Sequence, residues 1–477
     1  MMKYLATLLL AISAPLAAQT PTGNAWNALA RADVAAALEL VEKHHPGAAP
    51  ELGDQIFQRS LQRARAKAES RLPSVRDYGG HAAVLNGLAN DLRDGHIRAR
   101  GVLSRSRRMW PGVIVIRRAK QWRVGLHETS PGEPDLSDAR LVACDGQSAD
   151  DFAGRLIGGF YADPAVEAGL IANAPNLLLD HDNPFVPRPR ACRFEKDGKA
   201  VEVTFNWRPI QRARLEDHIR KLYPPVRAGM GVSDFAGGKW IALESLDNRA
   251  ASVVEQVRAQ SAALRAAPMV VVDLRGNSGG NSQYADEIAE VLAGRARLSA
   301  VRQAPTCSGT FWRASADNAA ALRKFADDLP PDRAPEWRAQ ADALARAVSA
   351  GEPFSPALPA CAKSDSRPRP VPAGLPPMAM TGRLVLLTDR ACFSSCLIAA
   401  NLLRRLGALH VGEATDVTTR YMEVREIDLP SGLWTFSTLQ KVALGTGDFG
   451  PYEPAVDYPG SLAEDDKVKA WVAALPR

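Results

Sequence analysis

The stretch "VVVDLRGNSGGNS", from Val270 to Ser282, joins a continuous apolar run to a glycine-rich loop. An unbroken aliphatic run is typical of a strand buried on both faces, as in a parallel sheet covered by helices. The next segment, "SQYADEIAEVLAG", has the apolar spacing of an amphipathic helix. This order of strand, loop and helix predicts an α/β fold for this part of the chain.

The same pattern extends on both sides of that stretch. Strands are predicted at "KWIALESL", "RLVLLTD" and "ALHVGEA", and helices at "ASVVEQVRAQSAALRAA" and "SSCLIAANLLRRLG". A Pro- and Ala-rich segment of about residues 300–380 interrupts the pattern, and we predict it to be an insertion or lid with one helix near Trp337–Val348. We therefore expect an α/β core over residues 210–477.

Two regions of different character precede the core. Residues 19–103 have helical periodicity, as in "LARADVAAALELVEKHHPG" and "HAAVLNGLANDLRDG", and predict a helical N-terminal domain. Residues 104–209 contain short β-rich runs separated by turn residues. Within them, "LVACDGQSADDFAGRLIGG" resembles the strand–turn–helix phrase of PDZ domains, so we expect a PDZ-like α+β domain.

Residues 1–18 have the layout of a secretory signal peptide, with Lys3, an apolar run, Pro15 and then small residues. A buried N-terminal helix is the alternative. The run is shorter than the roughly 20 apolar residues of a membrane-spanning helix, and no later stretch reaches that length. We therefore expect a periplasmic or secreted protein without an integral membrane segment.

The charge of the chain argues against a nucleic-acid partner. The formal net charge of +6 is small for 477 residues, and the arginines are scattered rather than gathered on a basic helix. The apolar fraction of 46% is ordinary for a globular protein of more than one domain. The sequence does not indicate an oligomeric state.

The chain has six cysteines, and an even count in an oxidising compartment suggests disulfides. For the closest pair, free thiols packed in the core are the alternative. A zinc site is not expected, because no C-x2-C spacing is present, and neither a metal nor another cofactor is expected. The sequence neighbourhoods suggest three local pairs: Cys144 with Cys192, Cys307 with Cys361, and Cys392 with Cys396.

Two serines are candidates for a nucleophile. Ser278 lies in a G-x-S-x-G string, which in α/β-hydrolases surrounds the nucleophile and expects a histidine downstream. The only later histidine is His410, which lies inside the apolar run "GALHVGE". Ser394 instead opens a predicted helix, where unsatisfied N–H groups can stabilise an oxyanion. The alternative for Ser394 is that it is simply the N-cap of that helix.

Four motifs, taken in order, resemble those of the C-terminal-processing, or tail-specific, serine peptidase family. They are "LANDLRDGHIRAR", "VVVDLRGNSGG", "LVLLTDRACFSSCLIAANLLRRLGALHVGEAT" and "GDFGPYEPAVDYPG", and together they extend along the mature chain. The resemblance implies a multidomain α/β protein with a helical domain, a PDZ-like domain and a crotonase-like or ClpP-like protease core.

The resemblance also implies roles for residues around the predicted nucleophile. Ser394 matches the serine that opens the helix, and the backbone amide of Ser395 matches an oxyanion donor. The second donor is expected from the glycine-rich loop, at Gly279 or Gly280. Ser278 is then a bystander in that loop.

The general base follows from the branch of the family that the chain resembles. Thr418 stands where one branch has its catalytic lysine. The chain is more similar to the branch of the tricorn core peptidase and the interphotoreceptor-retinoid-binding-like proteins, which implies His96 as the base and Glu453 as the carboxylate that orients it. The alternatives are that His96 caps the preceding helix, that Glu453 is a surface carboxylate, and that Lys441 is the base.

The resemblance implies a secreted serine endopeptidase that acts on a peptide or protein substrate through an acyl-enzyme on Ser394. One alternative is an inactive relative that binds peptides or apolar ligands, which the missing lysine suggests. Leu397, where the family has a glutamate, and residues 455–456, where it has a glycine, suggest the same. The other alternative is an esterase with the same three catalytic residues.

Overall fold

A computed structural model describes residues 23–102, 107–129, 132–226, 229–302, 307–363, 370–445 and 449–476. The predicted signal peptide lies outside these ranges. Within them, every helix is too short or too polar to cross a membrane.

The first region contains three helices followed by one short strand. Asp54 and Asp77 begin the second and third helices, because their carboxylates accept hydrogen bonds from the amides of Phe57 and Gly80. The helices were predicted from their periodicity, whereas the strand was not. These elements are α1 (Gly23–His44), α2 (Gln55–Arg71), α3 (Tyr78–Asp91) and β1 (Ala99–Gly101).

The second region is a small α+β unit, as its short β-rich runs separated by turn residues predict. Its antiparallel sheet has the order β3-β4-β5-β7-β8, with β6 on β5, and α4 packs Phe152, Leu156 and Ile157 against this sheet. Its likeness to a PDZ domain stays a prediction. The elements are β2 (Arg107–Trp110), β3 (Val113–Arg118), β4 (Gln121–His127), β5 (Arg140–Cys144), β6 (Gln147–Ser148), α4 (Ala149–Phe160), α5 (Glu167–Asn173), β7 (Ala191–Lys196), β8 (Lys199–Thr204), β9 (Arg208–Gln211) and α6 (Arg212–Leu222).

The third region contains the α/β core and an additional antiparallel sheet. Its elements are β10 (Met230–Phe235), β11 (Gly238–Leu243), α7 (Ala250–Ala259), α8 (Ser261–Ala266), β12 (Met269–Asp273), α9 (Gln283–Ala293), α10 (Arg295–Val301), β13 (Gly309–Arg313), α11 (Ala316–Asp327), α12 (Ala334–Ser349), β14 (Phe354–Ser355), β15 (Arg383–Thr388), α13 (Ser395–Arg405), β16 (Leu409–Gly412), β17 (Tyr421–Asp428), β18 (Trp434–Leu444), β19 (Val456–Asp457) and α14 (Asp465–Ala473).

The core sheet has the order β10-β11-β12-β15-β16-β19, and all of its pairs except β10 with β11 are parallel. Val270 and Val272 face a hydrophobic cluster formed with α7, α9 and α13, whereas Val271 faces another formed with α14. Strand β12 is thus buried on both faces, as its unbroken aliphatic run predicts. Because β12 and β15 are parallel neighbours, the loops that follow them lie at the same edge of the sheet.

A second sheet joins the first region of the chain to the third region. Its order is β1-β18-β13-β14, with β17 on β18, and Ala99 pairs with Phe436. Helices α1 to α3 pack against this sheet, so that Val41 and Leu88 share one hydrophobic cluster with Leu439. The segment predicted as an insertion supplies β13 and β14 to this sheet and the hairpin of α11 and α12.

Candidate active site

Ser394 lies between the end of β15 and the first residue of α13. Its backbone has φ 56° and ψ −125°, a left-handed conformation that is unfavourable for a residue with a Cβ atom. The side chain makes no capping hydrogen bond, so the alternative that Ser394 serves only as an N-cap is wrong. Its hydroxyl lies 3.3 Å from Nε2 of His96 instead.

His96 follows α3 in the turn that leads into β1. Its ring centroid lies 4.5 Å from that of Phe393, and its carbonyl accepts a hydrogen bond of 2.7 Å from the hydroxyl of Ser437 on β18. The side chain is 13% exposed, so it is enclosed but can still be reached from solvent. The pairing of β1 with β18 therefore brings the histidine of the N-terminal region to the serine of the core.

Asp94 is the carboxylate that orients His96. Its Oδ1 accepts hydrogen bonds from Nδ1 of His96 at 3.1 Å and from the backbone amide of His96 at 2.9 Å. Its Oδ2 accepts a hydrogen bond from the hydroxyl of Thr419. Burial raises the pKa of Asp94, but the hydrogen bonds from His96 and Thr419 outweigh this effect and leave the pKa below its usual value.

Because its pKa is lowered, Asp94 is ionised, and this fixes the roles of the two nitrogens of the His96 ring. An ionised carboxylate only accepts hydrogen bonds, so Nδ1 of His96 must carry a proton and donate a hydrogen bond to Asp94. Nε2 then has a free lone pair, and the hydroxyl of Ser394 donates to it. This is the arrangement of a nucleophile, a general base and an orienting carboxylate.

The structure does not bring Glu453, the predicted orienting carboxylate, to His96. Glu453 is exposed and lines a cavity of about 370 Å³ together with Arg390, Glu413 and Asp457. The described hydrogen bonds of the His96 ring reach Ser394 and Asp94 but not Glu453. The spacing Asp-x-His in "RDGH" was the signal that could have identified Asp94, because a turn places residues i and i+2 within reach of each other.

The glycine-rich loop lies directly against the nucleophile. A Cβ atom on Gly279 would come within 3.0 Å of the carbonyl of Phe393, the Cβ of Ser394 and the amide of Ser395. Gly279 and Gly280 have φ values of 109° and 132°, which only glycine adopts readily. The motif therefore requires glycine both for its backbone conformation and for its approach to Ser394.

Of the three backbone amides predicted as oxyanion donors, two donate no hydrogen bond among the described residues. The amide of Gly279 already donates to Oδ1 of Asn277 at 2.8 Å, which leaves Gly280 as the candidate for the second donor in this loop. Among the hydrogen bonds of the described residues, none uses the amide of Gly280 or Ser395 as donor. The hydroxyl of Ser395 donates to the carbonyl of Gly280 at 2.6 Å and so joins the two loops.

Asp389 and Asn277 hold these loops together from beneath. The buried carboxylate of Asp389 accepts hydrogen bonds of 3.0 Å from the amides of Gly276 and Ala391, one on each loop. The carbonyl of Asn277 accepts a hydrogen bond from the amide of Phe393 at 3.4 Å. Burial raises the pKa of Asp389 to about 6.

The residues considered as alternative nucleophile and base do not form such an arrangement with Ser394. Ser278 is exposed, and His410 is buried in β16 with Nε2 2.7 Å from the hydroxyl of Thr388. Lys441 has its ammonium 5.0 Å from the centroid of the Trp312 ring, on the sheet that includes β13. Thr418, at the position of the family's lysine, is buried. No group of His, Cys, Asp and Glu suited to a metal ion occurs within the described ranges.

All three predicted disulfides are confirmed: Cys144 with Cys192, Cys307 with Cys361, and Cys392 with Cys396. The first crosses from β5 to β7, and the second joins the segment before β13 to a turn after β14. The third brackets Ser394. The alternative of free thiols at Cys392 and Cys396 is therefore wrong.

Comparisons with known proteins show which family and which folds the chain resembles. Residues 240–448, which include the glycine-rich loop and Ser394, match the model of peptidase family S41. None of the curated proteins compared matches the chain.

Among solved structures, the chain is similar to mature CPAF in its complex with lactacystin, at 14% identity and a TM-score of 0.57, over 94% of this chain and 98% of that one. Weaker similarity is found to the photosystem II D1 C-terminal processing protease, at 13% identity and a TM-score of 0.34, over 94% of this chain and 97% of that one. A peptidase from Parabacteroides merdae gives 12% identity and a TM-score of 0.38, over 92% of each chain.

The family match covers the glycine-rich loop and the loop of Ser394, and the likeness to CPAF extends the shared fold over nearly the whole chain. The matched residues 240–448 therefore belong to peptidase family S41, the C-terminal-processing peptidases, and this core is that of a serine peptidase.

Proposed function

We propose that this serine peptidase is an exported endopeptidase in which Ser394 is the nucleophile, His96 the general base and Asp94 the orienting carboxylate. The observation that carries the proposal is the relay from the Ser394 hydroxyl to His96 at 3.3 Å and from His96 to Asp94 at 3.1 Å. Both distances are compatible with a free enzyme whose hydrogen bonds tighten when substrate binds.

In the proposed reaction, the scissile peptide carbonyl lies between Ser394 and the glycine-rich loop. Nε2 of His96 takes the hydroxyl proton of Ser394 as its oxygen attacks the carbonyl carbon. The oxyanion that forms is stabilised by the amides of Ser395 and Gly280, at the positive end of α13. His96 then donates the proton to the leaving amine, and the C–N bond breaks.

Hydrolysis of the acyl-enzyme uses the same groups. His96 removes a proton from a water molecule, which attacks the ester carbonyl, and Ser394 leaves with the proton returned by His96. Asp94 stays ionised throughout, because its lowered pKa lets it stabilise the imidazolium without taking its proton. This chain's own side chains therefore account for every proton in the cycle.

Export is supported by two features of the chain. Three disulfides are expected of a protein that folds in an oxidising compartment. The sequence of residues 1–18 independently predicts a signal peptide. We propose the periplasm or the extracellular space as the place of action.

The assignment of the nucleophile is tested by intact-mass analysis after reaction with a fluorophosphonate probe. We expect one adduct on the wild type and on Ser278→Ala, none on Ser394→Ala, and slow labelling of His96→Ala. Loss of the adduct in Ser278→Ala would move the nucleophile to the glycine-rich loop. An unlabelled wild type favours a ligand-binding relative without catalysis.

Endopeptidase activity is tested with peptides that are blocked at both ends and internally quenched. Cleavage of such a peptide requires attack on an internal bond. An enzyme that hydrolyses small esters but leaves these peptides intact, with Ser394 labelled, would be an esterase instead.

A further inference from the structure

The nucleophile lies at the midpoint of a small covalent ring. Cys392 and Cys396 form a disulfide, and Ser394 is the central residue of the five that this bridge closes. Both cysteines are fully buried. The other two bridges span 48 and 54 residues, whereas this one spans four.

A bridge this short is poorly suited to stabilising the whole fold. In the chain-entropy account, a disulfide stabilises the folded state by restricting the unfolded chain, and the effect grows with the length of the closed loop. The bridge between Cys392 and Cys396 closes the smallest loop of the three. Its contribution is therefore expected to be local.

The ring joins two parts of the structure that are anchored separately. Cys392 is fixed to the end of β15, where its amide donates to the carbonyl of Asp389 at 3.1 Å and its carbonyl accepts from the amide of Asp416 at 3.1 Å. Cys396 lies in the first turn of α13, where its amide donates to the carbonyl of Phe393 at 3.1 Å. The disulfide sets the spacing between strand and helix.

Ser394 needs such a constraint. Its backbone, at φ 56° and ψ −125°, is one that a residue with a Cβ atom keeps only when its surroundings enforce it. If φ relaxed to a negative value, the Cβ atom would turn away from its present direction, and the hydroxyl would lose its position 3.3 Å from Nε2 of His96.

We propose that the disulfide between Cys392 and Cys396 is a positioning element for the nucleophile, and that full activity requires this bridge to be formed. The inference rests on the proposed function, because it takes Ser394 as the attacking residue. It assigns to the bridge a part in catalysis rather than in overall stability.

The variant Cys392→Ala/Cys396→Ala tests the inference, with Cys144→Ala/Cys192→Ala as the matched control. Both variants lose one buried disulfide and the same atoms, but the control bridge lies within the sheet of the second region. The measurements are the midpoint of thermal unfolding, the rate of fluorophosphonate labelling at Ser394, and kcat and KM for a quenched peptide, all below the unfolding temperature.

We expect the ring variant to lose roughly 10- to 100-fold in kcat and in labelling rate, the loss expected when a reacting atom is displaced by about 1 Å. We expect KM to change by less than about threefold, because substrate binding does not use the bridge. The control should label at the wild-type rate. A folded ring variant that labels at the wild-type rate would overturn the inference.

Graded reduction of the wild type keeps the test decisive if the ring variant does not fold. Dithiothreitol supplies two electrons and two protons, opens the S–S bond to two thiols and is itself oxidised to a cyclic disulfide. Differential alkylation followed by mass spectrometry measures the fraction of each of the three bridges that is open. We expect labelling of Ser394 to fall as the Cys392–Cys396 bridge opens and to return on reoxidation.

Two outcomes of the reduction experiment separate the possible failures. Labelling that persists in molecules whose Cys392–Cys396 bridge is open overturns this inference alone. An oxidised wild type that takes no label overturns the proposed function and the inference together.

Discussion

The carboxylate of Asp94 keeps His96 in one tautomer, because it accepts the hydrogen bond from Nδ1 while Nε2 faces Ser394. In Asp94→Asn the amide would have to present either its NH2 group or a weaker acceptor to Nδ1, and the other tautomer would become competitive. We expect kcat to fall by about 10²- to 10⁴-fold with an unchanged fold. The measurements are peptide turnover and circular dichroism.

Glu453→Gln is the matched comparison for that prediction, because it removes the carboxylate that the sequence resemblance assigned to the same role. Glu453 is exposed and makes no described contact with the His96 ring. We expect kcat within about threefold of the wild type, as for a surface substitution away from the reacting atoms. A large loss in Glu453→Gln with a small loss in Asp94→Asn would reverse the assignment.

The hydroxyl of Thr419 supports Asp94 and can be removed without changing the shape of the site. In Thr419→Val, Asp94 keeps its two bonds from His96 but loses the one to Oδ2, which leaves a buried acceptor without a partner at a cost of about 1–3 kcal/mol. The pKa of Asp94, now below its usual value, should rise. The stabilisation from its ionised form, which is lost as the pH falls through that pKa, should then disappear at a higher pH than in the wild type.

Thr418→Val provides the neighbouring control. The hydroxyl of Thr418 is buried, and among the described residues it has no hydrogen-bond partner. Its removal is expected to leave activity unchanged and stability equal or higher. For both variants, the measurements are activity and the free energy of unfolding in urea as the pH is lowered. Equal behaviour of the two variants would show that Thr419 does not support Asp94.

At the scale of elements, the site consists of two loops that follow parallel strands β12 and β15, and Asp389 is the buried clamp between them. In Asp389→Asn, one of the two amides that now donate to the carboxylate would face an NH2 group. We expect kcat to fall by roughly tenfold, since one such hydrogen bond contributes about 1 kcal/mol. Labelling of Ser394 should slow in parallel.

The raised pKa of Asp389 also predicts how the stability of the protein changes with pH. The folded pKa of about 6 lies above the 3.8 of an ordinary aspartate, so between these two pH values the folded state binds a proton that the unfolded state has lost. The wild type should therefore lose about 2 kcal/mol relative to Asp389→Asn as the pH rises from 4 to 7, most of it between pH 4 and 6, where the slope approaches about 1.4 kcal/mol per unit. Urea unfolding at several pH values measures the difference; a constant difference would contradict the raised pKa.

The elements of the core could be predicted because their patterns depend on burial alone. The aliphatic runs of β11, β12, β15 and β16 require a sheet covered on both faces, and the sequence contains little else of that kind. Strands β17 and β18 were not predicted, because β17 is mostly polar and β18 buries Ser437, Thr438 and Gln440 among its apolar residues. Neither shows the alternation by which an antiparallel strand is recognised.

Only part of the site could be predicted from the sequence. Ser394 and His96 follow from motifs, whereas the choice of Asp94 over Glu453 depends on which carboxylate the turn before β1 brings to the histidine. The loss of Gly279 as a donor depends on the side chain of Asn277, which bonds within its own loop. These hydrogen bonds depend on the three-dimensional course of the loops, and the spacing of residues along the chain does not determine them.

At the scale of the whole molecule, the active site joins two hydrophobic cores. Ser394 belongs to the core sheet and its helices, while His96 and Asp94 are held by α3 and by the pairing of β1 with β18. The buried side chain of Asp33 on α1 strengthens this second unit. It accepts hydrogen bonds from the amide and hydroxyl of Ser431, in the turn between β17 and β18, and lies 3.0 Å from Nε2 of His81 on α3.

Asp33→Ala is therefore expected to separate the two halves of the site before the core unfolds. Removing a buried carboxylate with three polar neighbours should cost about 3 kcal/mol, whereas Glu39→Ala, which breaks an exposed ion pair on the same helix, should leave the free energy of unfolding nearly unchanged. In hydrogen exchange, α1, α3 and β18 should lose protection while β12 and β15 keep theirs, and labelling of Ser394 should slow in step with that loss. Simultaneous loss of protection in β12 and β18 would show that the two cores unfold as one unit, and that the distance between Ser394 and His96 is fixed by the whole fold rather than by the pairing of β1 with β18.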